Sequence, residues 1–293
     1  MELVLENVSK SFKDKEAVKN IQLTLGKGIH ALLGSNGSGK TTLLRMIVGV
    51  LKGQGSISFD DIELNQEYDC YASHIGYMPQ HFGYYPHYTV KEFLEYMAIV
   101  KGLSKEFSEQ KIIELTKTLH LEDKLNKKMK TLSGGMLRRV GIIQSLLNEP
   151  DILILDEPTA GLDPKERIVF RNFIATLSQN TIVILSTHIV SDIESIADDI
   201  MIMKEGEIIM HDCYGELLKI IENKVWSITL DREEAKGFLN NPHVVKSHHH
   251  KDGVDIRIVS DKKPHPKAKC IEPDLDDLYL YYFAGEDHHE EVD

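Results

Sequence analysis

Between the apolar run HALL and the helical pattern TTLLRMI the sequence reads Gly34-Ser35-Asn36-Gly37-Ser38-Gly39-Lys40-Thr41. This spacing fits G-x-x-x-x-G-K-[ST], in which the glycines allow a tight loop whose backbone N–H groups point at phosphate oxygens. The loop ends at a helix N-terminus, which favours anions. We expect Lys40 to reach the β- and γ-phosphates of a nucleotide, Thr41 to bind Mg²⁺, and Thr42 to add a phosphate contact. A chance glycine-rich turn is the alternative, which the strand–loop–helix context disfavours.

A second motif, ILILDEP, places Asp156 and Glu157 at the end of a buried strand. Ligands of open α/β sheets lie at such strand ends. A carboxylate there can hold Mg²⁺, and the next one can orient or deprotonate an attacking water. An ordinary acidic turn is the alternative for this motif alone. No long heptad stretch separates the two motifs, so the chain lacks the coiled-coil insertion of a chromosome-organising ATPase.

Composition limits the classes of partner. Acidic residues number 46 and basic residues 34, and the net charge of −12 disfavours broad nucleic-acid binding. Cys70, Cys213 and Cys270 are too few and too widely spaced for a disulfide framework or a zinc site, which favours a reducing, cytosolic compartment. The apolar runs are strand-length, and no secretory signal is evident, so a membrane role would need a partner chain.

Short apolar runs alternate with amphipathic helical stretches, which predicts an α/β fold with a mainly parallel, covered sheet. Residues 88–147 are expected to be mainly helical, with a capping box at Thr89 and Glu92. Asp163 and Pro164 are typical of a helix start, and Glu205-Gly206 of a hairpin turn. The pattern of predicted strands and helices changes near residue 221, so we expect one domain over 1–220 and a small α/β domain over 221–293.

The segment Leu132-Ser133-Gly134-Gly135-Met136 resembles the LSGGQ signature of the ABC ATPase family. Four further elements resemble family motifs and appear in the family order: the aromatic Phe12, the glutamine Gln80, the D-loop ending in Asp163, and the switch histidine His188. The resemblance covers roughly residues 1–220. It implies a P-loop NTPase fold, with a RecA-like parallel core, an antiparallel β subdomain and a helical signature subdomain, plus a small C-terminal α/β extension.

The resemblance also implies roles for these residues. Phe12 would stack on adenine, and Gln80 would bind Mg²⁺ or the water and sense a transmembrane partner. Glu157 would act as the base, with His188 contacting the γ-phosphate. The signature residues Ser133, Gly134 and Gly135 would cap the γ-phosphate of a nucleotide held by a second subunit, and Asp163 belongs to the same shared site. Without the family context, a packed aromatic, a polar strand end and a core histidine are the alternatives for Phe12, Gln80 and His188.

Two segments outside these motifs carry weaker signals. HFGYYPHY, after Gln80, corresponds to the neighbourhood that faces the membrane subunit in the family, and a packed loop is the alternative. His248, His249 and His250 suggest a metal site. Three consecutive histidines on a strand alternate faces and cannot all converge on one ion, so we favour an exposed polar loop there. The last residues, EDHHEEVD, are expected to fray.

The sequence thus indicates an ATP- and Mg²⁺-dependent subunit of an ABC transporter. Met136 replaces the usual signature glutamine, as in similar ATPases of ABC-2-type exporters, which suggests a bacterial exporter. The expected partners are a separate multi-span permease and a second ATPase subunit, most simply an identical copy. We expect no nucleic acid as a partner, and a cytoplasmic location at the inner face of the membrane. A soluble ABC ATPase acting on ribosomes or nucleic acid, or a regulatory ATPase without a permease, is the alternative.

Overall fold

A computed structural model describes residues 1–13 and 15–284 of the chain. The chain divides into two compact units, Met1–Ile209 and Met210–Asp293. This division falls before the sequence-based boundary at 220, because the helix Tyr214–Lys219 packs against the helix Leu275–Phe283 within the second unit. The functional domain boundaries remain a prediction. The expected fraying of EDHHEEVD concerns residues outside the described part of the chain.

Ten strands begin in the first unit and form two sheets. In chain order they are β1 (Leu3–Phe12), β2 (Lys15–Leu25), β3 (Gly28–Leu33), β4 (Gln54–Phe59), β5 (Ile62–Glu63), β6 (Ile75–Met78), β7 (Ile152–Asp156), β8 (Ile182–Thr187), β9 (Asp199–Lys204) and β10 (Glu207–Asp212). The smaller sheet has the order β2-β1-β4-β5 and is antiparallel throughout. This is the expected antiparallel subdomain.

The larger sheet has the order β10-β9-β3-β8-β7-β6. The neighbours from β9 to β6 pair in parallel, and β9 and β10 are joined by the predicted turn at Glu205-Gly206. Every residue of β3, β7 and β8 is buried, as the unbroken apolar runs predict for a sheet covered on both faces. The carboxyl ends of β3 and β7 therefore lie at one edge of a rigid core.

The helices of the first unit are α1 (Lys40–Ile47), α2 (Tyr68–Ser73), α3 (Val90–Val100), α4 (Lys105–Thr118), α5 (Gly134–Leu146) and α6 (Pro164–Leu177). Their starts follow the sequence signals. Thr89 and Glu92 form the expected capping box at α3, and Asp163 caps α6 with Pro164 in its first turn. Helices α3, α4 and α5 pack together and make the expected helical region.

The second unit contains α7 (Tyr214–Lys219), β11 (Val225–Leu230), α8 (Arg232–Leu239), β12 (Val244–His250), β13 (Gly253–Val259), β14 (Lys269–Cys270) and α9 (Leu275–Phe283). Its antiparallel sheet has the order β12-β13-β11-β14. The expectation of a loop at the three histidines was wrong, because His248, His249 and His250 extend β12 in register with β13.

Over the described residues, no helix has both the length and the apolar character needed to cross a bilayer.

Candidate functional site

The glycine-rich loop runs from the end of β3 to the start of α1. Gly37 and Gly39 have φ angles of 79° and 111°, a region that L side chains rarely adopt. A Cβ atom at Gly34 would collide with the carbonyl oxygen of Met203. A hydrogen bond from the β9–β10 turn also fixes the loop, because the Gly206 N–H donates to the Ser38 carbonyl at 2.8 Å. The backbone therefore has one well-defined course, as a phosphate cradle requires.

Lys40, the first residue of α1, is buried at the base of the loop, with 6% of its side chain exposed. Its ammonium donates to the carbonyls of Gly34 at 2.7 Å and Ser35 at 3.0 Å, and lies 4.0 Å from Glu157 Oε1. Burial lowers the pKa of Lys40, while the charges of Glu157 and Asp156 oppose that shift. The loop carbonyls thus aim a cation at the space where phosphate oxygens would lie.

Asp156 ends β7 and is fully buried. Its Oδ1 accepts hydrogen bonds from the hydroxyls of Thr41, at 3.1 Å, and Ser186, at 2.7 Å. Its Oδ2 is buried and has no hydrogen-bond partner among the described residues. A carboxylate oxygen without a partner, next to a threonine hydroxyl, is a donor set that suits Mg²⁺. Ser186 was missed by the sequence analysis, and the parallel pairing of β7 with β8 is the signal that places it opposite Asp156.

Glu157 follows β7 in a left-handed conformation, with φ 49°. Its N–H lies within hydrogen-bonding distance of Ser186 Oγ, at 3.1 Å, and its side chain is 5% exposed. Oε1 lies 3.0 Å from His188 Nδ1, whereas Oε2 is buried without a partner among the described residues. A positive φ is uncommon for a non-glycine residue, and at Glu157 it accompanies the turn of the chain directly after β7. The contacts bring the predicted base and the predicted switch histidine together.

An open cleft of about 480 Å³ lies over the loop. Its lining consists of Phe12, Lys15, Ala17, Asn36, Gly37, Gly39, Lys40, Thr41, Thr42, Gln80 and Glu157. Phe12 is 48% exposed at this cleft, so its ring is available for stacking. The cleft brings together half of the residues that the sequence motifs singled out, and adds Lys15 and Ala17, which no motif marked. The lining does not include Gly34, Ser35, Ser38, Asp156 or His188.

The signature residues do not line this cleft. Ser133 is exposed, and its hydroxyl accepts from the Met136 N–H at 3.2 Å, capping α5. Gly135 is buried, and a Cβ there would collide with the carboxylate of Glu166. Asp163 does not line the cleft either, and its carboxylate accepts from the Glu166 N–H at 2.8 Å. Within one chain, therefore, Ser133 and Gly134 are exposed at the N-terminus of α5, and Asp163 is exposed at the N-terminus of α6.

Two polar contacts near the cleft were missed by the sequence analysis. Arg138, on α5, donates from Nη1 to the Gln80 carbonyl at 2.7 Å. Asp192 is 1% exposed and accepts from the Thr159 hydroxyl at 2.5 Å, with Arg167 Nη1 at 3.6 Å. The first contact joins the helical region to the segment after β6. The second joins the segment after Glu157 to the segment after His188.

The aromatic segment after Gln80 is partly packed and partly exposed. The Phe82 ring meets Phe93 edge-on, with centroids 5.5 Å apart. Tyr85, Tyr88 and Tyr96 form a cluster with centroid distances of 5.0 to 6.3 Å, and each is 38–48% exposed. The packed-loop alternative holds for Phe82, while the tyrosine cluster leaves a surface on the helical region.

Comparison with known proteins is consistent with this geometry. Residues 18–160 match the family model described as ABC transporter. The chain is 36% identical over 238 residues to the ABC transporter ATP-binding protein YxlF of Bacillus subtilis (strain 168), covering 81% of this chain and 79% of that protein. It is 34% identical over 203 residues to Nod factor export ATP-binding protein I of Burkholderia lata, covering 68% of this chain and 67% of that protein.

A solved structure extends the likeness to three dimensions. The dimeric ATP-binding cassette MJ0796, in a post-hydrolysis state bound to ADP and phosphate, matches with a TM-score of 0.66 and 29% identity. The match covers 72% of this chain and 98% of that one. The motifs, the cleft and these relatives agree, and the chain belongs to the family of ABC transporter ATP-binding proteins, whose members are ATP-hydrolysing P-loop enzymes.

Proposed function

We propose that this chain is the ATPase subunit of an ABC-2-type exporter, acting at the cytoplasmic face of the membrane with a separate multi-span permease. The similarity to a Nod factor export protein supports export, as does Met136 in the signature segment. ATP binds in the cleft of one copy and is covered by the signature surface of a second copy. The observation that carries the proposal is the separation of Ser133 and Gly134 from the cleft lining of their own chain.

In the cleft, the adenine of ATP stacks on the exposed ring of Phe12. The N–H groups of the loop from Gly34 to Gly39 face the phosphates, and the Lys40 ammonium adds charge-assisted hydrogen bonds. Thr42 lies at the N-terminus of α1 and extends this anion site. These contacts position the nucleotide, which supplies most of the catalysis in phosphoryl transfer.

Thr41, Asp156 and Gln80 are the residues that would hold Mg²⁺. Asp156 Oδ2 is a buried acceptor that lacks a proton donor, and the Thr41 hydroxyl already faces the same carboxylate. When bound, Mg²⁺ neutralises charge on the phosphate oxygens. Ser186 keeps the Asp156 carboxylate in place by donating to Oδ1.

Glu157 orients the attacking water and accepts its proton. Its carboxylate is buried beside the cleft, and the contact with His188 Nδ1 fixes Oε1 and leaves Oε2 for the water. The ring of His188 is 42% exposed and lies against Glu157, which lines the cleft, and in this proposal it contacts the γ-phosphate. Both groups act on the same reacting centre.

The second copy supplies Ser133 and the N–H groups of Gly134 and Gly135, which cap the γ-phosphate across the dimer. The N-terminus of α5, where Ser133 and Gly134 are exposed, favours an anion. Asp163 belongs to the same shared interface. The relative MJ0796 is known as a dimeric cassette, which supports this arrangement.

The permease docks on the surface beside Gln80 that Tyr85, Tyr88 and Tyr96 form. Exposed tyrosines supply apolar area together with polar hydroxyls, a composition typical of interface cores. Arg138 lies on α5, which packs against α3, and donates to the Gln80 carbonyl, so docking on α3 can affect a residue that lines the cleft.

A pull-down of the full chain from its native cells in mild detergent, followed by mass spectrometry, tests the transporter proposal. Recovery of a multi-span membrane protein supports it, and its loss in a Tyr85→Ala/Tyr96→Ala variant that retains ATPase activity assigns the surface. Recovery of ribosomal or nucleic-acid-bound proteins instead would favour the soluble ABC ATPase. The dimer is tested separately: a Ser133→Arg variant is expected to bind ATP without dimerising.

A further inference from the structure

The strand β12 places two of its three consecutive histidines on one face of the sheet. Side chains alternate along a strand, so His248 and His250 share a face and His249 points to the other. Their Cα atoms are about 6.7 Å apart by the rise of a strand, and imidazoles at this spacing can bind one ion. The histidine triplet is therefore divided by the fold into a pair and a single residue.

A carboxylate on the neighbouring strand faces this pair. Asp255 of β13 lies directly opposite His248 in the antiparallel register, and its Oδ1 is 3.5 Å from His250 Nε2. A directly opposite partner and a diagonal partner are both within reach of long side chains. The Thr229 hydroxyl lowers the pKa of Asp255 by donating to it, and the facing His250 and His248 lower it further.

Neighbouring groups support the Asp255 position. Thr229 of β11 donates to Asp255 Oδ1 at 2.7 Å, which orients the carboxylate as outer hydrogen bonds orient metal ligands. The basic residues of the same face are neutralised by carboxylates of α9. Lys246 lies 2.7 Å from Asp276 Oδ2, and Arg257 is ion-paired with Asp277. Their charges therefore do not oppose a cation at the histidine pair.

We propose that His248, His250 and Asp255 form a site for one divalent transition-metal ion, of which Zn²⁺ is the representative. Two imidazoles and one carboxylate match the ligand preferences of Zn²⁺ and leave a coordination position for water. The ligand atoms of the three residues do not all lie within 4.8 Å of one another, so His248, which lies opposite Asp255 in the strand register, must change its side-chain rotamer to bind the ion. The exposure of β12 gives the ion a path from solvent.

Zn²⁺ titration of the full-length protein by isothermal calorimetry tests the proposal. Two other groups could bind Zn²⁺: the cluster of His30, Asp199 and His211, whose ligand atoms lie within 4.8 Å of one another, and the pair His288 and His289, outside the described residues. The reference protein therefore carries alanine at positions 211, 288 and 289. We expect this reference to bind one Zn²⁺ at the proposed site. His248→Ala and His250→Ala each weaken that binding at least about tenfold, and Asp255→Asn weakens it as well.

His249→Ala is the matched control, because it removes an adjacent imidazole from the opposite face. It is expected to leave the titration unchanged. Equal loss in His249→Ala and His248→Ala would overturn the site, as would an unchanged titration in both His248→Ala and His250→Ala. Thermal unfolding without zinc identifies any variant that does not fold, in which case His248→Asn or His250→Asn takes its place.

Discussion

Asp156 and Asp277 are both fully buried carboxylates, one in each compact unit, and their surroundings differ. Asp277 has both oxygens occupied: Arg257 Nε donates to Oδ1 at 2.8 Å, and the Asp274 N–H donates to Oδ2 at 2.7 Å. Among the described residues, Asp156 Oδ2 and Glu157 Oε2 have no hydrogen-bond partner. Since buried polar groups are normally satisfied, we infer that these two carboxylates face a ligand or water, whereas Asp277 makes a structural contact.

Glu157→Gln should cause the largest loss of activity, because it changes one of the two buried carboxylates that have an oxygen without a partner among the described residues. An amide cannot accept the water proton, so ATP hydrolysis is expected to fall at least about a hundredfold. ATP binding should persist, because the phosphate contacts come from the loop and Lys40. Single-turnover hydrolysis and equilibrium ATP binding measure the two quantities separately. Hydrolysis near the wild-type rate would remove Glu157 from its role.

Removing the ion pair between Arg257 and Asp277 should lower the free energy of unfolding and leave ATP hydrolysis unchanged. Arg257→Met leaves the Asp277 charge buried without its partner, and we expect a loss of about 3 kcal/mol in the free energy of unfolding of the second unit. Denaturant unfolding monitored at Trp226 measures it. The exposed Lys246–Asp276 pair is the control, since Lys246→Met should cost less than about 1 kcal/mol. Equal losses of unfolding free energy in the two variants would mean that burial does not make the Arg257–Asp277 pair more stabilising than the Lys246–Asp276 pair.

Lys40→Ala should weaken ATP binding, because it removes the buried cation of the cleft. A hydrogen bond to a charged group contributes about 2 kcal/mol, so the dissociation constant should rise at least about tenfold. Lys15→Ala gives the comparison, since Lys15 lines the same cleft but is exposed and should matter less. Retained affinity in Lys40→Ala would contradict the assignment of the loop.

The smallest expected effect is on the pH dependence of stability, and it comes from the buried side chain of His30. Burial of His30 disfavours its charged form, but the hydrogen bond and charge of Asp199, aided by the Gly26 carbonyl, outweigh it and raise the pKa of His30. A raised folded-state pKa stabilises the protein below the unfolded-state pKa, and this contribution is lost as the pH rises through the folded-state pKa. The unfolding free energy should therefore fall as the pH rises from the ordinary histidine pKa through the raised pKa of His30, and this slope should vanish in His30→Gln.

Local sequence signals predicted most of the fold. The glycine-rich loop, the capping box at Thr89 and the cap at Asp163 depend on residues close in sequence, and each was confirmed. The apolar runs predicted the buried strands for the same reason. The location of the cleft followed, because the carboxyl ends of parallel strands meet at one edge.

Contacts that depend on strand register could not be predicted in this way. Ser186 reaches Asp156 only because β7 and β8 pair in parallel, and Arg138 reaches Gln80 only because α5 packs beside β6. The extent of β12 was misjudged because consecutive histidines give no apolar alternation. The roles of the site residues remain predictions that the variants above test.

The turn at Glu205 and Gly206 has a consequence for how the sequence can vary. Gly206 donates its N–H to Ser38, accepts from the Lys19 N–H at 2.8 Å, and has a φ of 88°. Gly206 is far along the chain from the nucleotide loop, and its two backbone hydrogen bonds connect that loop to the antiparallel sheet. Gly206 is buried between two exposed residues, Glu205 and Glu207, so mutational tolerance should be low at position 206 although the turn around it lies at the surface. Deep mutational scanning would show a narrow choice of residues at 206 and a broader one at neighbouring exposed positions.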